Sequence, residues 1–528
     1  MTTSTQQPWL PPHSPASSAA SERSKTRRLL NAPALHEVFV LIALVIGTIA
    51  LHRTVAGDVP SGPDGGNWLA MAQDRFLGME VMSADVTYPP LLPLLLAGML
   101  LVAEPLGALV TMALGAKCLI VIAIYLCARP MGRMYAVLAA ALLATAGAQL
   151  EAYAWGAYPQ LLGTALGFPA LYFALRYLGT TRRKYLLTAV ALALLTYAGH
   201  TLVGGLLVLA TPIAVGHHLW LMRARREDWF RGLWTVVAVA TPGGLLALYH
   251  LVINPYPGVQ PVLNPLSLDR IESLLRTVTE APVPWLVVAG LGAGALFYRR
   301  WTKRSVTLSL GFAWALVGVI FFVVIAEPRA LLLTQMGLIL LALLSFQRLL
   351  EAASSVGRTK REWLMRTSRN ALIVLGVGTF SAIVVGGVHS FVNSTDWYRV
   401  VDHAELHALD VLKEAADSGD LVIASQGRHG NQIGWWVQGY AGIPAYTGVD
   451  LRFLTFPEER EQSRVTNSFF ANDSDEAESR ETLEALGADF ILVDRRGADA
   501  GWLDSQFASE LESIVESHSV IVLRVPQS

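Results

Sequence analysis

Cysteine is nearly absent from this sequence. The two that occur, Cys118 and Cys127, lie in one apolar segment, which excludes a disulfide framework and any cysteine-based metal site. Charge is scarce too: Asp, Glu, Lys and Arg make up 15% of the 528 residues while hydrophobic types make up 53%. That is too little polar surface for a soluble chain of this length and fits a polytopic membrane protein. Walker loop, zinc-ligand spacing, Ser-His-Asp signal and internal repeat are all lacking, and with them the most direct readings as a nucleotide-binding, zinc or serine enzyme. A formal charge of -1 carries no signature of nucleic-acid binding.

The charge that is present is unevenly placed. Residues 396–528 hold 24 Asp and Glu against 10 Lys and Arg, leaving 17 acidic and 30 basic residues elsewhere. A basic membrane part with an acidic soluble tail suits a chain whose cytoplasmic loops are basic and whose tail lies across the membrane from them. The start of the chain, 1–33, is rich in Ser, Thr and Pro and includes the basic run 23–28. It reads as a disordered cytoplasmic lead-in rather than a cleaved signal.

Apolar segments long enough, or nearly so, to cross a bilayer occur at 35–54, 107–128, 134–150, 158–178, 185–199, 201–221, 233–253, 283–299, 305–326, 329–349 and 370–391. A twelfth run, 88–104, is short and opens on Tyr88-Pro89-Pro90. If it crossed, the basic loops 129–133, 182–184, 223–231 and 299–304 would lie outside. The positive-inside rule instead keeps it at the outer leaflet. The expected fold class is therefore a polytopic α-helical membrane protein of about 11 transmembrane helices over 34–392, with an outer loop at 52–106 and a C-terminal extracytoplasmic α/β domain over 393–528. In that domain, strands are expected at 421–424, 490–493 and 519–525 and helices at 403–416, 430–440, 474–486 and 503–515. Arg-rich composition and the acidic tail suggest the plasma membrane of a prokaryote.

This topology gathers the unusual polar segments on one face. Residues 52–90 hold four aspartates, Asp58, Asp64, Asp74 and Asp85, beside a hydrophobic block; such a loop is costly unless the carboxylates face water, a metal or a cation. Asp58 and Asp64 are six positions apart across Pro60 and Pro63. They are candidates for a general base on an acceptor hydroxyl, with Asp64 also a candidate ligand for a divalent metal such as Mg or Mn; solvated turn residues are the alternative. Asp74 and Asp85 read as structural or solvated.

Glu151 stands at the outer end of a helix among Tyr153, Trp155 and Tyr158. These rings form either an aromatic belt or a platform on which the C–H face of a sugar stacks. Gln160 follows one turn into the next helix. His200, at a tight turn between apolar helices, caps a helix or holds phosphate or metal. Arg329 opens an apolar helix on the outer side, where a cation either snorkels or grips a lipid phosphate; Arg270 and Arg276 are weaker versions. In the tail, Gln426-Gly427-Arg428-His429-Gly430-Asn431 follows a strand, where α/β domains tend to bind ligands, though without the dinucleotide glycine pattern. Asn393-Ser394-Thr395 and Asn472-Asp473-Ser474 are glycosylation-type tripeptides.

One amino-terminal helix, an outer loop with Asp64, a Tyr88-Pro89-Pro90-Leu91 helix that does not cross, many further spans and an α/β tail together resemble the GT-C superfamily of membrane glycosyltransferases. That superfamily includes oligosaccharyltransferase catalytic subunits and protein mannosyltransferases. The segment Trp155-Gly156-Ala157-Tyr158-Pro159-Gln160 and the arginine of Glu327-Pro328-Arg329 are similar to family segments. The resemblance implies a catalytic aspartate at Asp64, a polyprenyl-phosphate-linked sugar donor, and a glycan, lipid or protein acceptor. Trp435-Trp436 is followed by Val437 rather than the aspartate of oligosaccharyltransferases, which argues against transfer of a whole glycan to asparagine. The rival readings are a transporter or lipid-handling protein and a catalytically inactive envelope scaffold. A transporter is expected to carry charges or helix breaks near the midplane, whereas Lys117 alone is charged there.

Overall fold

The structure is a computed structural model describing residues 33–60, 62–82, 88–248, 283–296, 305–325, 328–355, 362–430, 433–448, 457–471 and 476–526. Asp85, Arg270, Arg276, Glu327, Asn431, the basic loop 299–304 and the tripeptide at 472–474 lie outside the described residues.

Wherever described, the apolar segments expected to cross are helical. They form α1 (Pro33–Ala56), α4 (Pro105–Ala128), the pair α5 (Arg133–Ala144) and α6 (Gly147–Trp155), α7 (Tyr158–Thr180), α8 (Arg183–Gly199), α9 (Thr201–Leu221), α10 (Arg226–Leu248), α11 (Val283–Leu296), α12 (Ser305–Ile325), α13 (Leu331–Ser355) and α14 (Glu362–Tyr398). Among the described residues seven helices are long and apolar enough to cross, or eight if the bent pair counts as one span. Of the other expected crossings, the 134–150 segment breaks by 45° between α5 and α6, α8 has 17 residues, and α10 and α11 are described only to Leu248 and over Val283–Leu296.

Two short helices precede α4 in the bundle: α2 (Asp64–Ala72) and α3 (Leu91–Leu100). The ten residues of α3 rise only about 15 Å, half the hydrocarbon thickness. That helix lies against α2, α4, α7 and α8, with Leu92 and Leu96 fully buried.

α14 continues past residue 393 to Tyr398, so the last span runs directly into the tail. The tail contains α15 (His403–Ala415), β1 (Val422–Ala424), the short helix α16 (Gly434–Trp436) extended by a wide turn through Ala441, α17 (Pro457–Phe469), α18 (Glu476–Leu486), β2 (Phe490–Asp494), α19 (Gln506–Glu510), β3 (Glu512–Glu516) and β4 (Val520–Arg524). Its sheet has the order β1-β2-β4-β3, with β1 parallel to β2 and the other pairs antiparallel. The three expected strands are present. The helix expected over 503–515 is cut short after Glu510, because Ser513 and Val515 pair with Leu523 and Val522.

A charged network fastens α15 to this sheet. Asp402 caps α15 by accepting from the Ala404 N–H, and the Glu405 carboxylate accepts the Asp402 N–H, both at 2.7 Å. Arg496 lies 2.8 Å from Asp494 and 3.2 Å from Glu405, both almost fully buried, and donates to the Val400 carbonyl at 3.1 Å. Removing the cation strands two buried carboxylates. Arg496→Met is therefore expected to destabilise the tail by about 3 kcal/mol, read as a lower denaturation midpoint.

Candidate active site

The site begins with a loop that touches protein on both sides. After α1, Gly57 turns the chain at φ +76°, and residues 58–63 lead into α2, whose first residue is Asp64. Gly62 lies so close to the end of α6 that a Cβ there would fall 2.5 Å from the Ala154 carbonyl oxygen and the Trp155 carbonyl carbon. Gly156 ends α6 at φ +99°, and a Cβ on it would meet the Cβ of Asp64 at 2.8 Å. The indole N–H of Trp68 donates to the Gly156 carbonyl at 2.7 Å. The end of α6 and the start of α2 thus interlock through glycines.

Arg329 approaches this loop from the turn before α13. Its backbone carbonyl accepts from the Gln160 side-chain amide at 2.9 Å, and its guanidinium carbon lies 6.0 Å from the centre of the Trp155 ring, within cation–π reach. Its positive charge acts on both Asp64 and His200. Burial pushes the Asp64 carboxyl up to about 7 against the opposing pull of Arg329. Burial, aided by Arg329, pushes His200 down to about 3. His200 is therefore neutral at ordinary pH. Its Nδ1 accepts the Val203 N–H in the first turn of α9, at 3.4 Å, which leaves Nε2 carrying the proton as a donor.

Rings surround these groups. Tyr88 lies 4.8 Å from Trp68 and 6.2 Å from His200, centre to centre, and its carbonyl accepts from Arg75 at 3.1 Å. On the other side, the Tyr398 hydroxyl donates to Glu151 at 3.2 Å, with its ring 6.5 Å from Trp155. A carboxyl at the edge between ionised and neutral thus shares a site with a guanidinium, a neutral imidazole donor and aromatic faces. Such a group can accept a proton while the guanidinium steadies a departing anion.

The structure gives the expected residues different places. Asp64, Trp155, Arg329 and His200 come together, and Glu151 joins them through Tyr398. Gln160 is buried and holds the Arg329 backbone. Tyr158 is fully buried beside Tyr153, 5.7 Å between ring centres, so its face is not open to a sugar; the ring beside Trp155 is instead that of Tyr398. Asp58 does not pair with Asp64 as its spacing suggested: it forms an ion pair with Arg53 at the end of α1, its side chain 77% exposed. Among the described residues no group of three His, Cys, Asp or Glu side chains is placed to hold a metal ion.

The tail loop is occupied as well. His429 stacks on Trp397 at 3.9 Å, and Arg428 forms a two-pronged pair with Asp396 at 3.0 Å, both against the end of α14. Tyr88, Trp68 and Tyr398 were the residues that spacing alone missed. Tyr88 was visible only as the front of a proline pair, and Tyr398 only as an aromatic at the end of a span.

A carboxylate at the start of a short helix, a ten-residue apolar helix after it, a bundle of apolar helices and a tail with a small mixed sheet make up the fold. Two crystal structures share the fold. ArnT from Cupriavidus metallidurans bound to undecaprenyl phosphate aligns at TM-score 0.56 and 13% identity, covering 94% of this chain and 100% of that one. ArnT from the same organism in the apo state aligns at TM-score 0.56 and 14% identity with the same coverage. At these identities the likeness is one of fold. No family model matches the sequence, and no curated protein sequence matches it.

Because Arg329 lowers the Asp64 pKa, its removal should raise it. A hydrophobic carbodiimide, which reacts with the protonated acid, is expected to modify Asp64 with a half-point near pH 7 in the unaltered protein and at higher pH in Arg329→Gln, followed by mass spectrometry of the loop peptide. Gly156→Ala, strained at φ +99° and overlapping Asp64, is expected to destabilise the protein by about 1–3 kcal/mol, seen in its thermal melt.

Proposed function

We propose that this chain is an integral membrane glycosyltransferase that moves a sugar from a polyprenyl-phosphate-linked donor to an acceptor hydroxyl at the tail-side membrane face. The observation that carries the reading is that Arg329, which lies against the Trp155 ring, acts electrostatically on both Asp64 and the neutral donor His200. The undecaprenyl phosphate held by the ArnT structure supports the class of lipid.

In the proposed step the acceptor hydroxyl gives its proton to ionised Asp64. The acceptor oxygen bonds to the sugar's anomeric carbon, and the bond from that carbon to the phosphate oxygen breaks. The electron pair leaves with the lipid phosphate, whose charge Arg329 and the His200 N–H stabilise. Trp155 and Tyr398 offer the aromatic faces for the sugar, and Glu151, held by Tyr398, is placed to accept from its hydroxyls. Asp58, paired with Arg53, has no step, and none is routed through a metal.

The topology belongs to the same proposal. Basic residues at 129–133, 182–184 and 223–231 fall at the helix ends opposite the tail, which by the positive-inside rule makes that side cytoplasmic and the tail extracytoplasmic. The membrane is then a prokaryotic plasma membrane, and the acceptor is an envelope glycan, lipid or protein.

Asp64→Asn is expected to lower transfer of radiolabelled sugar from undecaprenyl-phosphate donors by about 10²–10⁴-fold while the protein keeps its thermal melt. Turnover retained in purified Asp64→Asn would remove Asp64 from the mechanism. Since the base must be ionised, the rate in the unaltered protein is expected to fall as pH drops below about 7.

A further inference from the structure

The tail's Trp435-Trp436 pair takes no part in the chemistry above, yet it lies directly on the Asp64 loop. Trp436 is fully buried, and its indole N–H donates to the Gly62 carbonyl at 3.2 Å across 374 positions of sequence. A Cβ on Gly65 would lie 2.9 Å from Trp436 Cζ2. One on Gly66 would lie 2.5 Å from the Trp435 carbonyl group and from the Trp436 nitrogen. In return, a Cβ on Gly439 would meet the Gly66 oxygen at 2.1 Å. Either chain would need to shift to admit a single methyl group.

The Trp pair is itself braced within the tail. The Trp435 N–H donates to the Gly448 carbonyl at 2.8 Å, and the Gln438 side chain donates to the Ala445 carbonyl at 3.0 Å. The loop carrying Asp64 therefore has one wall from the membrane helices, at 154–156, and an opposite wall from the tail, at 435–439.

We infer that Trp436 is a positioning residue: by holding the Gly62 carbonyl and bearing on Gly65, it makes the tail set the place of the Asp64 carboxylate relative to Arg329. The inference rests on the reading of Asp64 as the catalytic base. Its physical basis is that small displacements of a reacting group cost rate steeply, and that a buried carbonyl stripped of its donor does not stay where it was. It also accounts for Gly65-Gly66 after the aspartate, since a side chain at either position would push the tail away.

The test uses full-length protein in proteoliposomes with radiolabelled undecaprenyl-phosphate sugars. Trp436→Phe keeps an aromatic ring and removes the N–H, and is expected to lower kcat about tenfold with donor KM little changed. Gly65→Ala is expected to cost more, about a hundredfold. Because Phe lacks the atom nearest the new methyl, leaving the end of the Leu109 side chain at 3.1 Å, the double variant is expected to exceed Gly65→Ala in rate. Such coupling marks a direct contact. Without turnover, carbodiimide modification of Asp64 is expected to run several-fold faster in Trp436→Phe, as its loop opens.

Wild-type kcat and wild-type modification rate in Trp436→Phe overturn the positioning role, as does a kcat loss that disappears once activity is scaled to folded protein. If Trp436→Phe does not fold, Gly65→Ala alone decides: wild-type kcat in that variant overturns the inference. Turnover by Asp64→Asn is a different failure, because it overturns the reading of the base and leaves the tail contact without a catalytic consequence.

Discussion

The structure depends on a close approach of three stretches of backbone around Asp64. Residues 62–66 touch the end of α6 on one side and the Trp435-Trp436 segment on the other, at distances that exclude a Cβ on Gly62, Gly65, Gly66 or Gly156. This packing buries the carboxyl and so pushes it up to about 7. It also brings the carboxyl under the influence of Arg329, which is 265 positions away in the chain. The glycines are therefore as much part of the site as the charged groups they admit.

Around that packing the charges follow a simple division. Burial disfavours charge on Asp64 and His200 alike, and Arg329 acts on them in opposite senses, drawing Asp64 toward ionisation and His200 away from it. One cation thus acts on both groups, in each case as the smaller effect after burial. Gln160 fixes the backbone of that cation and Trp155 offers it a π face, so Gln160, expected to touch substrate, instead supports the arginine.

The membrane bundle and the tail are joined at more than the Asp64 loop. α14 runs unbroken to Tyr398, and its last turn receives the Arg428–Asp396 pair and the stack of His429 on Trp397. The strand-following loop that invited a ligand reading is spent on this attachment. Tyr398, where the span ends, passes a hydrogen bond to Glu151, so the seam between the parts borders the site itself.

Much of this was legible in the residues. Long apolar runs have few ways to satisfy their backbone in a bilayer other than as helices, so the segments expected to cross are helices wherever described, and the short run after Tyr88-Pro89-Pro90 is a ten-residue helix. The alternation of apolar strands and helices in the tail was largely plain, apart from α17, which was not expected, and β3, whose partner β4 decided its state. Asp64, Trp155, His200 and Arg329 were recognisable because each is a polar or aromatic group at the end of an apolar segment. Their meeting was not recognisable, since it rests on contacts between residues far apart in sequence. The same limit hid the ion pair that draws Asp58 aside, the burial of Tyr158, and the bearing of Trp436 on Gly65. Local sequence sets which segments are helical and which ends carry charge; only the packing of those segments decides which charges face one another and how much water reaches them.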